Sequence, residues 1–154
     1  MELKSLYHDL IVDHSKTPRN FGNPTECTHS ASGHNPICGD EVTVYLMIHG
    51  NTIEDVKFDG HGCAISTASA SLMTDAIKGK TLTQTHALFE SLHQCLTASA
   101  DETTAGTDLG KLGALEGVKQ YPMRVKCATL AWHTLLAALD QSDEQTTTKK
   151  VTTE

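Results

Sequence analysis

The chain has 154 residues, the length of one domain, and a globular composition with 38% hydrophobic and 20% charged residues. A net charge of -7 argues against a nucleic-acid partner, and no apolar run reaches the roughly 18 residues that would predict a membrane partner or span. The first residues lack the basic and apolar segments of a secretion signal, so we expect a cytoplasmic protein.

The first predicted element is an amphipathic helix over residues 2–14, where apolar side chains recur at the i, i+3, i+4 spacing of one helix face. We expect it to end before Pro18, because proline lacks the amide donor and restricts the residue ahead of it. Residues 15–27 are rich in proline, glycine and asparagine and are predicted to form an ordered loop.

A small sheet is predicted next. Apolar side chains alternate with a period of two from Val42 to Ile48, which indicates a strand with one face on a core. A turn at residues 50–51 leads to a second strand from Ile53, so the two form an antiparallel hairpin. Residues 28–34 are predicted to add a third strand.

Helical spacing of apolar residues predicts three more helices, at residues 66–78, 84–96 and 127–139. Residues 99–110 are predicted to be a loop, and residues 141–154 a flexible tail after a single domain of residues 1–140. The order of helix, strands and helices predicts an α+β fold, with a small antiparallel three-stranded sheet and helices packed on one face.

Five cysteines in a reducing compartment argue against a disulfide framework and favour metal binding or thiol chemistry. Cys38 and Asp40 are two residues apart, so their side chains point the same way in an extended backbone. Cys27 and Cys95 lie in no comparable setting. We expect Cys95 in a helix core and Cys27 in a loop, both without function.

Two further cysteines lie where helices are predicted to begin. Cys63 precedes a helix whose N-terminus would stabilise a thiolate, and Cys127 is predicted at the start of the last helix, beside Arg124 and Lys126. Three sulfurs and one carboxylate match the ligands of tetrahedral zinc. The spacing is not that of a zinc finger, so a shared metal site and three separate buried cysteines both remain open.

Three ordered motifs carry a resemblance to a known family. They are Asn35-Pro36-Ile37-Cys38-Gly39-Asp40, Gly60-His61-Gly62-Cys63-Ala64-Ile65-Ser66 and Arg124-Val125-Lys126-Cys127-Ala128-Thr129-Leu130-Ala131-Trp132. With them, residues 3–139 resemble the U-type iron–sulfur cluster assembly proteins, the IscU/SufU family with its NifU N-terminal domain. The resemblance implies a SufE/NifU-like fold and a metal held by Cys38, Asp40, Cys63 and Cys127.

One departure indicates a branch within that family. Cluster scaffolds have a histidine directly before the third cysteine, whereas this chain has Lys126, a poor metal ligand at neutral pH. The chain therefore resembles the SufU branch of zinc-dependent sulfurtransferases. That branch implies a pyridoxal-phosphate cysteine desulfurase of the SufS type as partner and a downstream SufB/C/D-type scaffold.

The resemblance also implies roles for individual residues. Cys38 is predicted to accept the persulfide sulfur, because its loop is flanked by proline and glycine, and Arg124 to steady the freed thiolate. Cys127 is the alternative acceptor. Two other functions remain open: a scaffold that assembles iron into a [2Fe–2S] cluster on the same ligands, and a structural zinc domain that only binds partners. His61, beside a ligand, is expected to be exposed or to support the ligands from outside.

Overall fold

The computed structural model describes residues 3–22, 24, 26–36, 39–97, 112–115, 118, 121–139 and 149–152. Its elements in chain order are α1 (Leu3–Lys16), β1 (His29–Asn35), β2 (Asp40–His49), β3 (Thr52–His61), α2 (Ala64–Ile77), α3 (Leu82–Thr97), α4 (Pro122–Leu139) and β4 (Lys149–Thr152). No helix among these residues is long and apolar enough to cross a membrane.

The sheet has the strand order β3-β2-β1-β4. The β1–β2 and β2–β3 pairs are antiparallel, which confirms the predicted α+β fold with its three-stranded antiparallel sheet. β4 pairs in parallel with β1 and was not predicted, since residues 149–152 were assigned to the tail. Residues 140–148 and 153–154 lie outside the described residues, so flexibility of the tail stays a prediction.

Alternation of apolar side chains positions the sheet against the helices. Val44 and Leu46 of β2 are fully buried on the face that also buries Ala31 of β1. The opposite side of the core is formed by α2 and α4, with Trp132 and Leu135 of α4 fully buried. Each fully buried side chain of this size contributes roughly 1.5–3 kcal/mol, so this layer fixes the strand ends that carry the candidate site.

A buried polar contact attaches α1 to α2. The ring Nδ1 of His14, which is 1% exposed, lies 2.7 Å from the hydroxyl oxygen of Ser71. The same oxygen accepts the backbone N–H of Arg19 at 2.8 Å. One α2 hydroxyl therefore holds both the end of α1 and the segment that follows it.

The last helix begins earlier than the sequence predicts. α4 starts at Pro122 rather than at residue 127, because proline is suited to the first helical position, where its missing N–H has no partner to lose. Leu112 and Leu115, just before it, are buried in the core. The predicted loop at residues 99–110 lies outside the described residues.

Candidate metal centre

Asp40 is the first residue of β2 and is fully buried. It pairs across the sheet with Asn35, the last residue of β1. Its Oδ1 accepts the backbone N–H of Cys63 at 2.8 Å. No ion pair of Asp40 is found in the described part of the chain. Because a buried carboxylate is costly unless it is paired or coordinates a metal, this position favours a bound cation.

Cys63 lies just beyond β3 and caps α2. Its backbone is extended, with φ −70 and ψ 167, and its sulfur accepts the N–H of Ser66 at 3.4 Å. The antiparallel register that pairs Glu41 with His61 brings the start of β2 beside the end of β3, so Asp40 and Cys63 meet. The helix N-terminus predicted beside this thiol is therefore present.

Cys127 lies within the second turn of α4 and is fully buried. The prediction that it starts the helix is wrong, because α4 begins at Pro122, and the effect of a helix N-terminus falls off within the first turn. A different donor faces this sulfur: the side-chain amide Nδ2 of Asn35 donates to Sγ over 3.7 Å. The motif contained Asn35, but nothing in its spacing indicated this contact.

Three donor atoms converge at this end of the sheet. One oxygen of Asp40 and the sulfurs of Cys63 and Cys127 lie within 4.8 Å of one another. The Oδ2 of Asp40 is 4.0 Å from the sulfur of Cys63. Ligands of tetrahedral zinc are separated by about 3.5–3.8 Å, given the usual metal–sulfur and metal–oxygen distances. The set therefore fits zinc after a small contraction.

Cys38, the predicted fourth ligand, lies outside the described residues, whereas its neighbours Pro36 and Gly39 are described. The N–H of Gly39 donates to the carbonyl of Asn35 over 2.8 Å, and Gly39 has φ 74, a left-handed conformation that favours glycine. Pro36 and Gly39 are both exposed. The hydrogen bond to Asn35 brings Gly39 close to the end of β1, directly before Asp40.

Charged residues near the centre lie closer to solvent. Arg124, in the first turn of α4, is exposed, and Lys126 is half-buried. The side chain of His61 is 73% exposed, and its Nε2 lies 3.3 Å from a carboxylate oxygen of Glu41. His61 therefore has the exposed position expected for it, outside the converging donors.

The other two cysteines lie away from the centre. Cys95 is buried in the helical core, as predicted, and Cys27 is half-buried in the loop before β1. Burial raises the pKa of the Cys27 thiol, which makes it a weaker nucleophile at neutral pH. Neither belongs to the three-donor group.

Comparison with known proteins identifies the family and several relatives of the chain. The family model described as NifU-like N terminal domain matches residues 6–146. The chain is 42% identical to the zinc-dependent sulfurtransferase SufU of Bacillus subtilis (strain 168) over 86% of this chain and 88% of the relative. It is 38% identical to the iron–sulfur cluster assembly scaffold protein IscU of Streptococcus pyogenes serotype M1, over 92% and 87%.

A solved structure shares the fold of this chain. It is described as a candidate iron–sulfur cluster assembly scaffold protein for the SUF system from Fervidobacterium islandicum AW-1. The two chains are 38% identical, with a TM-score of 0.77 over 90% of this chain and all of the other.

Proposed function

Since the chain belongs to the NifU-like N-terminal domain family of iron–sulfur cluster assembly proteins, we propose that it is a zinc-dependent sulfurtransferase for cluster assembly. The observation that carries the proposal is the convergence of a buried carboxylate and two cysteine sulfurs within 4.8 Å. The SufU relative, which carries this activity in its name, supports the choice of zinc and of sulfur transfer.

Asp40, Cys63 and Cys127 would hold the zinc, with Cys38 as the fourth ligand. Bound zinc would keep its cysteine ligands deprotonated and fix their positions. The hydrogen bond from Cys63 N–H orients the Asp40 carboxylate, and the cap at Ser66 orients the Cys63 sulfur. These hydrogen bonds orient the side chains of Asp40 and Cys63 in the metal-free protein.

Cys38 is the proposed sulfur acceptor. Its described neighbours Pro36 and Gly39 are exposed, whereas Cys127, the alternative acceptor, is fully buried and out of reach of a partner's persulfide. Cys38 would leave the metal before reacting, and its freed thiolate would attack the outer sulfur of the donor persulfide. The bond between the two donor sulfurs breaks, the donor cysteine leaves as a thiolate, and Cys38 becomes the persulfide with no net redox change.

Arg124 is proposed to steady the negative charge on the reacting sulfur. It is exposed in the first turn of α4, one helical turn before Cys127, and its guanidinium would offer hydrogen-bond donors to an anion there. The side chain is not needed to hold the metal in this proposal. Arg124→Gln should therefore slow sulfur transfer and keep bound zinc.

The proposed partners follow from this chemistry. A pyridoxal-phosphate cysteine desulfurase of the SufS type would supply the persulfide, and a SufB/C/D-type scaffold would receive the sulfur. Both steps would take place in the cytoplasm. Lys126, which replaces the histidine of the cluster scaffolds, is a poor ligand and favours sulfur transfer over cluster storage.

The proposal is tested with zinc-loaded protein, a SufS-type desulfurase and cysteine, by counting alanine formed per minute. The parent should stimulate turnover, and Cys38→Ala should abolish the stimulation. Cys27→Ala, which removes a half-buried cysteine outside the centre, is the matched control and should behave as the parent. Equal stimulation by the parent and Cys38→Ala would overturn the acceptor assignment.

A second candidate function has support of its own. The chain is 38% identical to an IscU scaffold over most of its length, and cysteine and aspartate ligands also suit iron. Under this alternative, the same residues hold a [2Fe–2S] cluster. Anaerobic reconstitution that gives a stable, coloured cluster transferable to an apo-ferredoxin would favour it over the sulfurtransferase.

A further inference from the structure

We infer that Asn35 is a positioning residue that holds the Cys127 sulfur as a fixed ligand through its side-chain amide. The inference rests on the proposed metal site but concerns a residue that is not one of its ligands. Asn35 is 1% exposed, and its Nδ2 lies 3.7 Å from the Sγ of Cys127, within the range of an N–H···S hydrogen bond.

The position of Asn35 links three parts of the site. It ends β1 and pairs with Asp40 across the sheet, and its backbone carbonyl accepts the N–H of Gly39 at 2.8 Å. Its side chain points to Cys127 on α4, so one residue connects the sheet, Gly39 and the helix. Because Asn35 is buried and its backbone pairs with Asp40, its side-chain amide has little freedom to move.

Each of the two proposed ligand sulfurs that the structure describes accepts a hydrogen bond. Cys63 is half-buried and accepts a backbone N–H from Ser66, whereas Cys127 is fully buried and accepts a side-chain N–H from Asn35. Hydrogen bonding to a charged acceptor is strong, and more so where water is excluded. The amide therefore stabilises the Cys127 thiolate and withdraws electron density from its sulfur.

A thiolate held in this way is a steady ligand and a weak nucleophile. Burial keeps a partner away from Cys127, and the Asn35 bond lowers the reactivity of its sulfur further. Both effects favour Cys38, whose described neighbours Pro36 and Gly39 are exposed, as the persulfide carrier. Asn35 thus separates the two roles, with Cys127 holding the metal while Cys38 accepts sulfur.

A merely structural role for Asn35 makes a different prediction. If its amide only fills space at a strand end, its loss changes stability and leaves the electronic state of the Cys127 sulfur unaltered. A direct hydrogen bond lowers the energy of the sulfur electrons. Its loss must then move the sulfur-to-metal charge-transfer absorption to longer wavelength.

The test uses the full chain loaded with Co²⁺ as a spectroscopic substitute for zinc. Asn35→Ala should shift the sulfur-to-cobalt band to longer wavelength and weaken zinc binding roughly 10- to 100-fold, as is usual when a partner of a metal ligand is removed. Ser69→Ala is the matched control. It removes a buried hydrogen bond to the carbonyl of Ala128, next to Cys127, without touching the sulfur. It should keep the parental band and affinity.

A second variant and a separate persulfide measurement complete the test. If Asn35→Ala does not fold, Asn35→Ser keeps a polar side chain at the strand end but stops short of the sulfur, and should show the same shift. An unchanged band and affinity in the folded variant overturn the inference. Persulfide formation on the parent is measured separately, so a parent that accepts no sulfur contradicts the proposed function and leaves the cobalt result standing.

Discussion

Gly62→Ala should displace the Asp40 ligand while leaving the backbone conformation allowed. A Cβ built on Gly62 would lie 2.6 Å from Oδ1 and 3.0 Å from Cγ of Asp40. Ordinary contact begins at 3.4 Å, so Oδ1 must retreat by about 0.8 Å. Gly62 does not have a positive φ, so alanine can adopt its backbone conformation. The substitution therefore displaces the Asp40 carboxylate and leaves the backbone unstrained.

The retreat breaks the 2.8 Å hydrogen bond between the Cys63 N–H and Asp40. A hydrogen bond to a charged group contributes about 1.5–3 kcal/mol to stability. Replacing glycine by alanine offsets roughly 0.4–1 kcal/mol of its loss, because alanine lowers the conformational entropy of the unfolded chain. We expect a net loss near 1–2 kcal/mol in the metal-free protein, which lowers Tm by roughly 2–8 °C for a domain of this size. Zinc affinity should fall about 10- to 100-fold, because a ligand has moved.

Gly50→Ala is the control for this variant. Gly50 has φ 60 in the β2–β3 turn, away from the centre, and a Cβ there meets nothing within 4 Å. Its left-handed strain of about 1–2 kcal/mol gives a similar stability loss without moving a ligand. Thermal unfolding of the metal-free proteins and competition with a coloured chelator measure both quantities. Parental zinc affinity in Gly62→Ala would refute the reasoning.

Three other predictions concern the support of the site. Gly60→Ala should lower the free energy of unfolding in urea by about 4 kcal/mol or more. The reason is that Gly60 has φ 132 and a Cβ there collides with the backbone carbonyl of Glu41. A mild loss of stability would contradict that geometry. Ser71→Ala should cost about 1–3 kcal/mol by the same assay, because it removes the buried hydroxyl beside His14, and parental stability would argue against that contact. Burial raises the pKa of Tyr45 from 10 to about 12, so its contribution to stability is full below pH 10 and is lost as pH rises through about 12. Tyr45→Phe should therefore lose less stability than the parent over this pH range. Equal pH slopes in the two proteins would disprove this role of Tyr45.

Local patterns predicted the framework of the fold well. The alternation from Val42 to Ile48 identified β2, because one face of that strand lies on the core, and the turn at Gly50 fixed the hairpin. β4 was missed, because residues 149–152 are short and polar and their pairing with β1 is a contact between distant parts of the chain. The start of α4 was missed for another reason: the residues from Pro122 to Lys126 lack a clear apolar stripe.

Three of the four predicted ligands come together in the structure, whereas their supporting contacts were not predicted. The motifs identified Asp40, Cys63 and Cys127, which the structure brings together. The same motifs could not show that the Asn35 amide faces the Cys127 sulfur, because that contact depends on how α4 packs against the end of β1. Sequence spacing does not encode the angle between a helix and a sheet.

The most direct test of zinc-dependent sulfur transfer is mass spectrometry of the zinc-loaded chain after mixing with a SufS-type desulfurase and cysteine. Non-denaturing spectra count the bound metal, and peptide mapping locates the added sulfur. Zinc-dependent sulfur transfer predicts one zinc per chain and one extra sulfur atom on the peptide that contains Cys38, absent when zinc is removed beforehand. A persulfide found only on Cys127, or sulfur acceptance that is unchanged without zinc, would contradict it.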